Sequence, residues 1–475
     1  MVKDKKASKA DYKAGQNVTV SKTLTLYAVY KKLPYTVTFN NNNGTSTSKI
    51  YTSLTMYASK NQKVTLPDVP KVKGYTNLGW TTEKGETELE YSAGDTVKIT
   101  KATQFYAVRR KSNYYTVSYY LGNGSTNAAY QKLTQTVEEG TVVIFAKVPA
   151  RTGYVNQGWS SKKNSEKATA KAKCTVNKNI TLYAVQKKAV QLTFHRCDGS
   201  TWQKTTLAKG SSYSLPGVRD AEGYTFMGWS TKPMQSVSPQ YEAEEKITVN
   251  GNVDLYAVVF NRTTETDLTE DQLPQVDIYK YKQVIFVGDS RTEFMENVLT
   301  GMGESATKNV KFVCSAGKGL DWFTTTGWAQ LYSIVQHDSN SILSKKTAVI
   351  FNFGVNDLSK SADYAEYYNW IAPQLKSKGC ELYFMSVNPV NRLMLPNAGR
   401  ADRSEAAVRS FNQYMKANLS SAYTYIDMYS YLKSTGYSFA SDHYGTGTVD
   451  DGLHYTTRTY KRIFAKCMDS LRVPA

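Results

Sequence analysis

Four residue types in the second half of this 475-residue chain could together attack an acyl group. An apolar run, "QVIFVG" from Gln283, stops at Asp289 and Ser290; "SAGKG" holds Gly317 and Gly319; "GVND" ends in Asn356 and Asp357; "DDGLHY" holds Asp451 and His454. A serine hydroxyl is a weak nucleophile until a base takes its proton, and histidine suits that task near neutral pH. An aspartate three residues earlier can orient the imidazole and stabilise its cation. An amide and backbone N–H groups can hold the oxyanion that attack creates, one such donor being worth about 3 to 4 kcal/mol. Each residue alone also has a plainer role: Ser290 can cap a helix, Asn356 can hold a turn, and His454 can sit satisfied at the surface. His443 is a rival base, but Ala440 stands three residues before it where an acid would be needed.

Such residues need a rigid frame. Apolar runs starting at Gln283, Val310, Ala348, Glu381 and Tyr423 alternate with helical patterns. Near-continuous apolar strands separated by helices predict a parallel sheet covered on both faces, an α/β three-layer sandwich over residues 280–475. In doubly wound sheets ligands sit at the carboxyl ends of the strands, which is where Ser290, Gly317 and Asn356 fall. Asp289 and Asp357 read as supports for those turns.

The order GDS, glycine, GxND and DxxH resembles the blocks of the SGNH, or GDSL-type, hydrolase superfamily. The resemblance implies a flavodoxin-like sheet, Ser290 as nucleophile, His454 as base and Asp451 as its orienting acid. It also implies an oxyanion hole made of the Ser290 and Gly317 N–H groups and the Asn356 amide, with Gly317 preferred to Gly319 because it follows the strand directly. No metal or cofactor is expected. The family often has Leu after the serine, whereas Arg291 stands here; it can bind an acidic or hydroxylated substrate or pair structurally. Trp322, in "GLDWF", can line an acyl or sugar pocket or pack into the core. The function implied is a serine esterase that removes short acyl groups, chiefly acetyl, from carbohydrate. O-acyl transfer by the same residues and a surface adhesin with a vestigial hydrolase domain are the alternatives.

The first half has another grammar. The template GYxxxGW occurs at Gly74–Trp80, Gly153–Trp159 and Gly223–Trp229, and a YAV signature recurs within residues 24–30, 103–109, 180–186 and 253–259. Alternating segments such as "YTVTF" with Gly- and Asn-rich turns predict short strands, so each unit reads as a small domain. The pattern resembles the Listeria–Bacteroides, or internalin B-type, repeats, which are β-grasp-like modules of bacterial surface proteins. The expected divisions are a partial repeat at 1–32, repeats at 33–111, 112–188 and 189–262, a polar linker at 263–279 and the hydrolase domain at 280–475. On that division the repeats stand clear of the site, and a chain starting near Gln275 is expected to keep its activity.

Charge follows the same division. The formal charge of +19 resides wholly in residues 1–262, with 37 Lys and Arg against 18 Asp and Glu; residues 263–475 hold 22 of each. A basic surface of this kind can attract an anionic cell-wall polymer or acidic glycan; no nucleic-acid role is expected. The five cysteines are widely spaced without CxxC pairs, which argues against a disulfide framework or zinc site. No run approaches the roughly 20 apolar residues of a spanning helix. The repeats imply an extracellular or cell-surface protein, and because the chain opens inside a broken repeat, its export signal is expected to have been removed.

Overall fold

A computed structural model describes residues 2–3, 5–6, 9–30, 35–42, 49–276, 281–337, 346–395, 403–439 and 451–471. The chain divides into two compact units. One comprises Met1–Thr152 with Asn156–Lys187, and the other Gly153–Val155 with Lys188–Ala475.

Each repeat is built alike. In the first, strand Tyr35–Asn40 pairs in parallel with Thr103–Lys111, which pairs antiparallel with Tyr75–Thr81, the GYxxxGW strand. A ribbon of Gln62–Thr65 and Thr96–Ile99 closes the module. The tryptophans fill the cores, and their indole N–H groups donate to main-chain oxygens: Trp80 to Pro67 at 2.7 Å, Trp159 to Ala146 at 2.6 Å and Trp229 to Pro216 at 2.8 Å. The glycine before the tryptophan sits at a bulge in the first and third repeats. At Gly79 (φ +152°) a Cβ would lie 2.2 Å from the Tyr91 oxygen, so no side chain fits.

The second half is a five-stranded parallel sheet. Its strands are β1 (Tyr281–Gly288), β2 (Val310–Cys314), β3 (Lys346–Asn352), β4 (Cys380–Met385) and β5 (Tyr423–Ile426), in the order β2-β1-β3-β4-β5. This is the flavodoxin-like order, with its switch point beside β1. The main helices are α1 (Ser290–Met302), α2 (Trp328–His337), α3 (Ser361–Ser377), α4 (Glu405–Asn418), α5 (Met428–Thr435) and α6 (Thr457–Ser470). Alternate strand residues serve opposite faces. Ile285, Val287, Val349 and Phe351 pack with Leu331 of α2, Tyr368 of α3 and Phe411 of α4. Val284, Phe286 and Ile350 pack with Leu299 of α1, Leu432 of α5 and Phe464 of α6. Burial on both faces is why these strands read as continuous apolar runs.

The third repeat shares a core with this sheet. Met227, Val258 and Phe260 belong to the same buried cluster as Phe286 and Phe464. The segment read as a free polar linker is docked as well. Leu273 and Val276 are buried, and Glu265, only 6% exposed, pairs with Arg462 at 3.0 Å and accepts from the Ser438 hydroxyl at 2.5 Å. Most of its other polar side chains are exposed, so the segment is pinned at these few points, and the third repeat, which shares the core, does not stand clear of the sheet domain.

Candidate active site

β1 delivers the serine. Gly288 ends the strand at the closest possible approach to α1, where a Cβ would lie 2.0 Å from Thr292 Oγ1. Asp289, not Ser290, caps the helix: its carboxylate accepts from the Arg291 N–H at 3.0 Å. Burial pushes the Asp289 carboxyl up to about 6. With capping assigned to Asp289, the Ser290 hydroxyl is released for other contacts.

Those contacts run to the last loop. His454 Nε2 lies 2.8 Å from Ser290 Oγ, and its Nδ1 lies 2.6 Å from Asp451 Oδ2. The other Asp451 oxygen accepts from the Leu453 and His454 N–H groups, each at 2.8 Å. Burial pushes the Asp451 carboxyl up, but the hydrogen bonds from His454 and this backbone outweigh it and hold it below its ordinary value. An ionised Asp451 accepts the Nδ1 proton, which leaves the Nε2 lone pair facing the serine hydroxyl. The Phe294 ring stands edge-on to the imidazole, centroids 4.8 Å apart, and fills the space beside it. His443 lies outside the described residues.

The oxyanion candidates follow from strand register. Gly288 of β1 is level with Cys314 of β2 and Asn352 of β3, so Ser290, Gly317 and Asn356 leave adjoining strand ends on neighbouring turns. The Ser315 N–H donates to the Gly288 oxygen at 3.3 Å, and the Asn356 amide donates to the Lys318 oxygen at 2.7 Å, tying the three turns together. Arg403 donates to Asn356 Oδ1 at 2.7 Å and fixes which way the amide points. The two glycines differ in kind. Gly317 sits at φ +70° with open space around its Cα, whereas a Cβ on Gly319 would lie 2.3 Å from Asp357 Oδ2. Asp357 is held in turn by the Leu320 N–H at 2.9 Å and the Tyr364 hydroxyl at 2.7 Å.

One expected substrate residue lies elsewhere. Arg291 is 2% exposed, and its three nitrogens donate to the oxygens of Leu453, Asn388 and Pro389 at 3.0, 3.0 and 2.9 Å. With its guanidinium consumed by main chain and stacked over Tyr455 at 5.2 Å, it braces the His454 loop and reaches no substrate. Trp322 packs on the sheet core against Phe353 and over Gly327. Sequence reasoning missed the bracing role of Arg291 because its partners are carbonyls, which leave no mark in side-chain identity.

Residues 284–467 match the profile of the GDSL-like lipase/acylhydrolase family. Residues 35–108, 115–185 and 191–258 each match the Listeria–Bacteroides repeat domain. Three matches to the repeat family are thus followed along the chain by one match to the acylhydrolase family. A protein of Evansella cellulosilytica, provisionally named a Gly-rich membrane protein, is 28% identical over 237 residues, 49% of this chain and 26% of that protein. The chain spans about a quarter to a third of the length of the curated relatives it matches, at 26% and 33%. Similar solved structures include a provisionally assigned acylhydrolase of Bacteroides fragilis, with 16% identity, TM-score 0.30, and coverage of 42% of this chain and 91% of that one. Another is the C-terminal catalytic domain of a peptidoglycan O-acetyltransferase of Streptococcus pneumoniae, with 16% identity, TM-score 0.25, and coverage of 40% and 92%. Among the described residues no helix is long and apolar enough to cross a membrane.

Proposed function

We propose that the acylhydrolase domain cleaves short acyl esters, chiefly acetyl, from carbohydrate through an acyl-enzyme on Ser290. The observation that carries this reading is the continuous relay from Asp451 through His454 to Ser290, with contacts of 2.6 and 2.8 Å. Ser290 Oγ adds to the ester carbonyl carbon while its proton passes to His454 Nε2, and the Asp451 carboxylate stabilises the resulting imidazolium. The oxyanion accepts from the N–H groups of Ser290 and Gly317 and from the Asn356 amide. That amide carries two hydrogens, so its bond to Lys318 leaves one for the oxyanion. Collapse breaks the ester C–O bond, and His454 returns the proton to the departing alcohol. Water then repeats the sequence in reverse, and the acid leaves.

The carbohydrate substrate and the extracellular or cell-surface setting rest on the nature of Listeria–Bacteroides repeats. Residues 1–187 hold 29 Lys and Arg against 11 Asp and Glu, a balance suited to holding an anionic wall polymer or acidic glycan. The test is a screen of the chain on aryl esters of graded acyl length, then on acetylated glycans with and without an acceptor sugar. Fastest release of acetyl, with free acetate as product, is expected. Product appearing on the acceptor would make the domain an O-acyltransferase, preference for long chains would move the substrate to lipid esters, and inertness toward all esters would sink the proposal.

A further inference from the structure

We infer that the third repeat is a working part of the catalytic domain, in which Asp220 and Asn391 position the loop carrying Asp451 and His454. This rests on the proposed esterase role of Ser290.

The three repeats serve as controls for one another. At two surface positions the first repeat carries Leu78, 37% exposed, and Arg110, and the second carries Gln157 and Lys187. The third carries Met227 and Phe260 there, and both are buried in the hydrolase core. Phe260 lies over Gly436, where a Cβ would come 2.2 Å from its ring. Two coordinated exchanges from solvent-facing to apolar residues make a docking face. Charge has adjusted too. Glu242 pairs with buried Lys433 at 2.7 Å, Glu244 with Arg392 at 3.1 Å, and the Ala243 oxygen accepts from Arg409 at 2.9 Å.

The docked repeat grips one turn, residues 391–394. The Asn391 amide donates to the Val218 oxygen at 3.0 Å and to Asp220 Oδ1 at 2.8 Å, and Arg219 donates to the Leu393 oxygen. Asp220 is itself fixed by Arg262 at 2.7 Å and the Phe226 N–H at 3.0 Å, so the anchor belongs to the repeat's own frame. The turn presses directly on the catalytic loop. The Asn391 N–H donates to the Gly452 oxygen at 2.8 Å, and a Cβ on Gly452 (φ +68°) would lie 2.3 Å from the Asn391 oxygen. Gly452 stands between Asp451 and His454, and the far side of the loop is braced by Arg291 on the Leu453 oxygen. A shift in the turn is therefore passed to the imidazole, and a displacement of about 1 Å there can cost on the order of 10²-fold in rate.

The test uses the full chain with Asp220→Ala, Asn391→Ala, the pair together, and Asp220→Asn, which keeps the acceptor oxygen. Arg409→Ala removes the bond to the Ala243 oxygen in the same interface and leaves the Asp220–Asn391 linkage in place. Two readouts are taken: kcat and KM on an acetyl aryl ester, and the rate at which a sulfonyl fluoride labels Ser290. Both Ala variants should lose at least about tenfold in kcat and in labelling with KM within about twofold. The double variant should be no worse than the singles, because both break one linkage. Asp220→Asn should recover most of the rate, and Arg409→Ala should keep it. Wild-type kcat and labelling in Asn391→Ala would overturn the inference, as would equal losses in Arg409→Ala. Should the wild-type chain cleave no ester, the esterase reading fails, while the labelling rates still decide this one.

Discussion

Arg291 adjoins the nucleophile yet turns away from any substrate, and its three carbonyl partners make it the brace of the His454 loop. Arg291→Met would take the charged donor from the Leu453 and Asn388 oxygens, the Pro389 oxygen keeping the Tyr455 hydroxyl, and should destabilise the domain by at least about 3 kcal/mol in urea unfolding, since each lost bond to a charged donor is worth about 1.5–3 kcal/mol. An unchanged midpoint would contradict that role. Asp289 makes a second prediction. Its carboxyl is raised by burial to about 6 from an ordinary 3.8, so its contribution to stability is complete below about pH 4 and is lost as pH rises through 6. Asp289→Asn keeps the cap and removes this slope, worth about 3 kcal/mol at about 1.4 kcal/mol per pH unit. Thermal midpoints of the two proteins should therefore converge at pH 4 and part by pH 7, with the variant the more stable; parallel profiles would refute it. At this scale the candidate site was legible, because Ser290, Asn356, Asp451 and His454 are chemically distinctive types in short motifs. The role of Arg291 was hidden, because main-chain oxygens are the same at every position.

The five strands of the sheet were readable from apolar runs such as "QVIFVG", since burial on both faces removes alternation. The repeats were readable from the opposite pattern, period-two alternation capped by Trp80, Trp159 and Trp229. What escaped was docking. Met227 and Phe260 look like further core residues of their own repeat, and only alignment with Leu78, Gln157, Arg110 and Lys187 shows that they occupy outward positions. Glu265 escaped for the converse reason, an acid in a polar run that proves to be buried against Arg462. Phe260→Ala should cost about 3–5 kcal/mol in the unfolding of the catalytic unit, as for a core aromatic. The matching change Arg110→Ala in the first repeat should leave that transition where it is. Equal, small effects from both would mean that the third repeat is only loosely attached.

Across the whole molecule, charge and architecture divide at one place. Residues 1–187 hold 29 basic and 11 acidic residues, while 188–475 hold 30 and 29, so the docked repeat carries a single unit of the excess. A chain starting at Lys188 should then cleave a small ester as fast as the full chain, whereas one starting near Gln275, which lacks Met227, Phe260 and Asp220, should not. Only the full chain should sediment with an anionic wall polymer, and added salt should weaken that binding through screening of exposed charge. Salt-insensitive binding by the Lys188 chain would place recognition in the catalytic unit and leave the first two repeats as spacers.

The central claim is that Ser290 carries the acyl group. Mixing the full chain with an acetyl aryl ester and quenching in acid within the first turnover should give a burst of phenol matching the enzyme concentration. Peptide mass mapping should find acetyl on Ser290. Ser290→Ala should show neither and lose at least about 10⁴-fold in steady rate, with His454→Ala falling nearly as far. Acetyl found on another residue, or a Ser290→Ala chain that turns over at the wild-type rate, would contradict the account.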